Sequence, residues 1–283
     1  LLWQGTVNGL ALGGVYILMA LGLTLVFGVT HIMQFAHGEV YMLGAYVVYF
    51  AVTFFGLNIW IALVVSAVAM ACLGLVLNRF IFKPVKGQIL PPIVASLGLT
   101  FILQSVALVG FGLDDKSMPR LADGSLEFLG GVVPSDRVVA VIFAAALMVL
   151  LYLFLKRSKY GQALIASAQN PQGAFLQGIN SDQMAALSMA IACALGAAGG
   201  ALTGAIFSLN PYMGTTPLIK GLVIIVLGGM GSLAGVIVGG IIVGLIDGIV
   251  PLIADPGTAA MLPLIIVILV LLVRPQGLFG HEE

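Results

Sequence analysis

The sequence predicts an all-α polytopic membrane protein of about 8–10 transmembrane or half-membrane helices, with interrupted helices in each half. Three observations carry that prediction. Of 283 residues, 61% are hydrophobic and only 8% charged, with a formal net charge of zero, whereas a soluble domain carries about 25% charged residues. Apolar runs of about 20 residues recur along the whole length, each enough to cross about 30 Å of hydrocarbon. The runs are apolar all round rather than alternating, which excludes a β-barrel.

In order, the runs fall at about 5–28, 38–55, 58–78, 90–112, 137–155, 183–208, 218–250 and 259–273. They form a single transmembrane domain over residues 1–283. The first run starts at the terminus and is too long for a cleavable signal, so it reads as a retained span. Between it and the second lies a fault, Phe27-Gly28-Val29-Thr30-His31-Ile32-Met33-Gln34-Phe35-Ala36-His37-Gly38-Glu39. The break Arg79 to Lys86 is short and basic. Residues 113–137 form a longer loop with five acids against three bases.

Residues 156–182 are the one long polar interruption of the second half. They open on Lys156-Arg157-Ser158-Lys159, continue as a small-residue helix, break at Asn170-Pro171, and carry a second short helix ending near Gly178-Ile179-Asn180. A connection this long with its own helical pattern has a role beyond linking spans. The run 218–250 would measure about 50 Å at the helical rise, too long for one span. Leu227-Gly228-Gly229-Met230-Gly231-Ser232 divides it into two helices or two half-helices. Corresponding interruptions in the two halves point to a transport pathway near the bilayer midplane.

Orientation follows from lysine and arginine bias. The breaks at 79–90 and 156–182 are two spans apart and together hold six bases, against three in the 113–137 break. Both basic breaks are therefore assigned to the cytoplasm and 113–137 to the extracytoplasmic side. Dividing 218–250 also returns Arg274 to the cytoplasm.

Glycines carry the packing signal. Gly196, Gly200 and Gly204 recur every fourth residue, as do Gly240, Gly244 and Gly248, while Gly9 and Gly13 make a single pair. Apolar burial cannot drive helices together in lipid, so close approach over small residues does much of it. The rows predict tight packing, within the subunit or across a dimer.

An enzyme reading fails. The chain has no GxxxxGK[ST], HExxH or GxSxG pattern, so no catalytic residue is assigned. Cys72 and Cys193 lie in apolar runs with no metal or disulfide spacing and read as packing residues. His31 and His37 are not on one helical face, so no metal site is expected. Nothing in the charge pattern indicates nucleic acid.

Ionisable groups inside the membrane are functional candidates by default. Glu39 follows Gly38 at an expected helix start. It is either a first-turn carboxylate favoured by the helix dipole, with His37 as its polar partner, or a contact for a passing solute. Asp247, in a glycine-rich helix, is expected to make an interhelical hydrogen bond, and Lys220 to snorkel to an interface. Gly228-Gly229-Met230-Gly231-Ser232 lacks the lysine of a phosphate cradle. It is either a helix break lining a cavity or a plain tight turn.

With these residues in view, the chain resembles the permease subunits of the branched-chain amino-acid ABC importers, the smaller, LivH type. The resemblance covers essentially the whole chain. It rests on Phe35-Ala36-His37-Gly38-Glu39-Val40-Tyr41-Met42, on Leu176-Gln177-Gly178-Ile179-Asn180, on Val226-Leu227-Gly228-Gly229-Met230-Gly231-Ser232, and on Arg274-Pro275-Gln276-Gly277-Leu278-Phe279-Gly280. It implies a second, related permease subunit, two cytoplasmic ATPase subunits that hold the ATP and magnesium, and a periplasmic solute-binding protein. This chain itself would bind no cofactor. The location implied is the bacterial cytoplasmic (inner) membrane.

The resemblance also implies roles for residues. Tyr160, Gly161, Ala163, Ala166, Ala168, Gln169, Asn170, Pro171 and Gly178 would couple the chain to the ATPases, the small residues allowing close seating in a cleft. Gln34, His37, Gly38, Glu39, Gly228, Gly229, Gly231 and Ser232 would border the translocation pathway. Two departures stand out: Gln34 replaces the usual asparagine, and Gln169-Asn170 stands where an acidic pair is common. Aliphatic amino acids rank first as solute, with urea or short amides second. Outside this class, a stand-alone ion-coupled transporter would need Glu39 or Asp247 for coupling. A channel or non-transporting scaffold is a third reading.

Overall fold

The computed structural model describes residues 2–88, 90–122, 124–128 and 131–280. Its helices are α1 (Leu2–Thr30), α2 (His37–Thr53), α3 (Ile59–Leu77), α4 (Leu90–Phe111), α5 (Ser135–Arg157), α6 (Lys159–Gln169), α7 (Pro171–Leu176), α8 (Ser181–Ile206), α9 (Thr215–Gly228), α10 (Leu233–Ile249) and α11 (Pro256–Val273). A π-helical turn, Asn78–Phe82, carries α3 onward. Four short strands also lie among the described residues: β1 (Lys116–Ser117), β2 (Ser125–Phe128), β3 (Gly131–Pro134) and β4 (Ser208–Leu209). Among the described residues, six helices are long and apolar enough to cross a membrane. Helix α10 counts among them with the 3-10 turn Val250–Leu252 that extends it, while α2, α9 and the apolar part of α11 (Gly257–Val273) are shorter. The all-α polytopic class stands, and each apolar run lies on the helix expected of it.

Two helices form the centre. Most of α1 and α8 is buried, while α3, α4 and α5 turn long rows of Val, Leu, Ile and Phe outward. Outward apolar rows are what hydrocarbon requires. Helices α1 and α8 run antiparallel, with Gly22 against Ala192 and Gly199 against Val15.

On its other flank α1 meets α10, also antiparallel, glycine against glycine. A Cβ on Gly9 would come 2.8 Å from the Gly244 carbonyl oxygen, and one on Gly13 would come 3.0 Å from that of Gly240. Gly5 meets Gly248 in the same way. The pair seen in the sequence is therefore part of a triple row, and its counterpart lies in the same chain. Helix α2 lies parallel to α8 along the remaining row, with His37 by Gly196, Tyr41 by Gly200 and Ala45 by Gly204. Only side chains this small let backbones approach so closely in lipid.

The ends of the bundle differ. At one end the two basic breaks meet, with Lys83 Nζ 3.1 Å and Lys86 Nζ 2.6 Å from the Asp182 carboxylate. At the other end β1 pairs with β4, and β2 pairs with β3. These strands lie where the sequence suggested plain loop. Pairing satisfies backbone groups that would otherwise lack partners beside the apolar bundle.

Candidate functional site

The first interruption is a re-entrant segment. Helix α1 stops at Thr30, whose Oγ1 donates to the Val26 carbonyl at 2.7 Å. His31 then adopts a left-handed φ of 54°, and the chain turns back. It does not reach helical geometry again until His37, beside Gly22 and Gly196. From Ser181 to Gly196 is about 15 residues, or about 22 Å at the helical rise, which is just past the middle of α8. Helix α2 therefore begins near mid-depth.

The second interruption meets the first. Gly214 precedes α9 and touches Gly38 backbone to backbone; a Cβ on Gly38 would lie 2.8 Å from the Gly214 carbonyl oxygen. The N-termini of α2 and α9 thus come together near mid-depth, and the two helices diverge toward opposite ends. Both positive dipole ends point to this junction, an arrangement suited to a polar solute passing through. Sequence reading offered Leu227–Ser232 either as this interruption, which lies one helix too late, or as a plain tight turn, and the second reading holds. That segment is a tight turn between antiparallel α9 and α10 at the basic end. Its Gly229 and Gly231 have φ of 98° and 87°, and the Ser232 hydroxyl accepts from the Gly235 N–H at 3.1 Å. The signal for the true break was Asn210-Pro211, followed by Gly214.

The re-entrant segment and its surroundings, from the junction toward the basic end, hold polar groups without partners among the described residues. Gln34, His37 and Glu39 are 2%, 0% and 3% exposed. Both amide atoms of Gln34, both ring nitrogens of His37, Oε2 of Glu39 and the buried Thr24 Oγ1 lack a hydrogen-bond partner among the described residues. The expected His37–Glu39 partnership is absent. Residues two apart on a helix point about 200° apart, and the His37 ring is wedged between Gly22 and Gly196.

Lys220 does not snorkel. It is 8% exposed, and its Nζ donates to Asp247 Oδ1 at 2.8 Å while the Tyr16 hydroxyl donates to Asp247 Oδ2 at 3.0 Å. The interhelical bond expected of Asp247 is thus present, joining α1, α9 and α10. A counter-charge within reach outweighs a long climb to the interface, because an unpaired buried ammonium is costly.

The 156–182 segment forms a shelf at the basic end. Gly161, Leu164 and Ser167 turn inward from α6, and Gly161 fits where a Cβ would strike Phe154 and Leu155 of α5. Gly161 therefore shapes the α5–α6 corner rather than an outer surface. Tyr160, Gln169, Asn170 and Pro171 are exposed, while Ala163, Ala166 and Ala168 are half-buried. Asn170 Oδ1 accepts from the Gly173 N–H at 2.8 Å and caps α7. Gly178 closes α7 with a φ of 81°, the Ile179 N–H reaching the Ala174 carbonyl at 3.0 Å. Its small size serves that backbone conformation, because a Cβ there would touch nothing. Sequence reading passed over Phe175 and Leu176, which are 69% and 83% exposed on α7. Two bare apolar side chains in a polar loop were the available signal.

One cavity is bordered by members of both candidate sets, Ala168 and Gln169 of the coupling set and Gly231 and Ser232 of the pathway set, while Gln34, His37, Gly38 and Glu39 lie outside it. Its volume is about 700 Å³, and its walls include Thr24 and Phe27 of α1, Ala168 and Gln169 of α6, and Gly231 and Ser232 of the α9–α10 turn. The chain terminus closes that turn from outside: the Leu278 N–H donates to the Leu227 carbonyl at 2.9 Å, and the Phe279 N–H to that of Gly228 at 3.0 Å. Two motifs far apart in sequence thus form one unit.

Broken helices meeting near mid-depth, buried polar groups without partners among the described residues and a cavity of about 700 Å³ bordered by α1, α6 and the α9–α10 turn define a multi-pass membrane protein of the solute-permease class. Comparison with known sequences gives the particular family. Residues 5–271 match the family described as branched-chain amino acid transport system permease component, and the chain belongs to it. It is 32% identical over 296 residues to the high-affinity branched-chain amino acid transport system permease protein BraD of Pseudomonas aeruginosa, covering 99% of this chain and 96% of that one. Identity and coverage are the same for LivH of Escherichia coli K12. LivM, a second permease of that organism, is 27% identical over 302 residues, covering 97% of this chain and 70% of its own.

Proposed function

We propose that this chain is the membrane-spanning permease subunit of an ATP-driven importer that moves branched-chain, aliphatic amino acids across the bacterial cytoplasmic membrane by alternating access. The observation that carries the reading is the match to the permease family along nearly the whole chain, at equal coverage of BraD and LivH. The chain brings no nucleotide motif, so work must arrive from outside. The shelf formed by α6 and α7, assigned to the cytoplasm with the basic end, is where two ATPase subunits would press. Tyr160, Phe175 and Leu176 offer the exposed apolar contacts for such a partner, and Gly178 fixes the turn behind them.

The occurrence of LivM-type relatives supports a second, related permease as partner. A periplasmic binding protein would deliver solute at the end carrying the strands. ATP-driven approach of the ATPases would shift the populations of inward and outward states. An ion-coupled carrier is disfavoured, because Asp247 is committed to Lys220 and Tyr16 and only Glu39 remains for coupling. The test is isolation of the complex from the native membrane, followed by uptake of leucine, isoleucine and valine against urea in proteoliposomes. Copurifying ATPases and ATP-dependent aliphatic uptake are expected. Urea uptake alone would replace the substrate, and gradient-driven uptake by the bare chain would replace the mechanism.

A further inference from the structure

Gln34, in the extended segment between α1 and α2 and beside the C-terminal half of α9, is the most exacting buried polar group. Its carboxamide has two donors and a carbonyl acceptor, all unpartnered among the described residues. Buried amides are rarely left so, because the desolvation penalty is uncompensated. The residue borders a cavity of about 30 Å³ whose other walls are apolar, among them Leu23, Phe27, Ile32, Leu222 and Val226. Phe27 and Met230 border this cavity and the 700 Å³ cavity alike, so they are the partition between the two.

We propose that the Gln34 cavity is a solute subsite: the carboxamide bonds the polar end of an aliphatic amino acid, the apolar walls receive its side chain, and Phe27 with Met230 gates it toward the cytoplasmic end. This rests on the importer reading above. A space of about 30 Å³ admits about one water, so the subsite is closed in this conformation. Met230 is more than half exposed and unbranched, which suits a side chain that swings aside. Ala168 and Gln169 of α6 share the larger cavity with both gate residues, so displacement of α6 acts on the partition. A neutral amide meets carboxylate through its N–H groups and ammonium through its oxygen. It also binds loosely enough to release, as conduction demands.

The test uses the whole complex in proteoliposomes with L-leucine as probe, assembly being read from copurification of the partner subunits. Gln34→Leu keeps the size and removes the hydrogen-bonding atoms; KM for uptake is expected to rise tenfold or more, with Gln34→Asn recovering part of the loss. Met230→Cys, in a chain whose Cys72 and Cys193 are replaced by alanine, gives a readout independent of that variant. Saturating leucine should slow its labelling by a thiol reagent added from the cytoplasmic side at least threefold. Leucine-insensitive labelling, or an assembled Gln34→Leu complex with unchanged KM, overturns the subsite. Protection by urea but not leucine overturns the role of the apolar walls. A wild-type complex that takes up no aliphatic amino acid overturns the importer reading instead.

Discussion

Replacing Lys220 with methionine removes one charge from a pair whose side chains are 10% and 13% exposed. Removing a single partner from a buried pair costs about 3–5 kcal/mol, because the remaining charge is left uncompensated. An exposed pair is worth about 1 kcal/mol or less. The Tyr16 hydroxyl still donates to Asp247, which softens the loss, so Lys220→Met is expected to cost roughly 3 kcal/mol. Lys220→Met with Asp247→Met leaves no orphaned charge and should recover to within about 1 kcal/mol of the parent. Thermal unfolding of the detergent-purified protein ranks the three chains: parent highest, double variant next, single variant lowest. A double variant no more stable than the single, or a single indistinguishable from the parent, would show that the pair does not hold α9 to α10.

Other parts of the structure make sharper or weaker demands. Gly244→Leu drives a side chain into the backbone of Gly13 and should cost at least about 3 kcal/mol, measured as lost folded protein, whereas Gly257→Ala meets nothing and should be silent. Phe175→Asp with Leu176→Asp should leave the subunit folded while solute-stimulated ATP hydrolysis falls more than tenfold; unchanged stimulation would move the docking surface elsewhere. Asp182→Asn breaks ion pairs that are about half exposed, so its stability effect should stay under about 1 kcal/mol and shrink in high salt.

Much of this architecture was legible because lipid imposes so simple a rule on sequence. Runs of about 20 apolar residues mark spans, and the polar fault from His31 to Glu39 marked the re-entrant turn. What escaped depends on distant partners. Lys220 looked like an interfacial lysine because its counter-charge lies on another helix. Gly5 was overlooked beside Gln4, although Gly248 completes its row. The cluster Gly228–Ser232 advertised a break more loudly than Asn210-Pro211 did, yet glycines serve a tight turn as readily as a midplane interruption. Phe175 and Leu176 fitted the expected short helix, and only the folded shelf exposes them. The β1–β4 pairing joins residues about 90 positions apart, which no local pattern announces.

The central claim is that the chain provides a path for aliphatic amino acids and takes its work from ATPases bound at the α6–α7 shelf. Leucine uptake by proteoliposomes holding the purified complex, with and without internal or external ATP, measures this most directly. Accumulation only with ATP on the shelf side, abolished by aspartates at Phe175 and Leu176 in a complex that still assembles, is the result expected. Equal accumulation without nucleotide, or with the shelf altered, would contradict it.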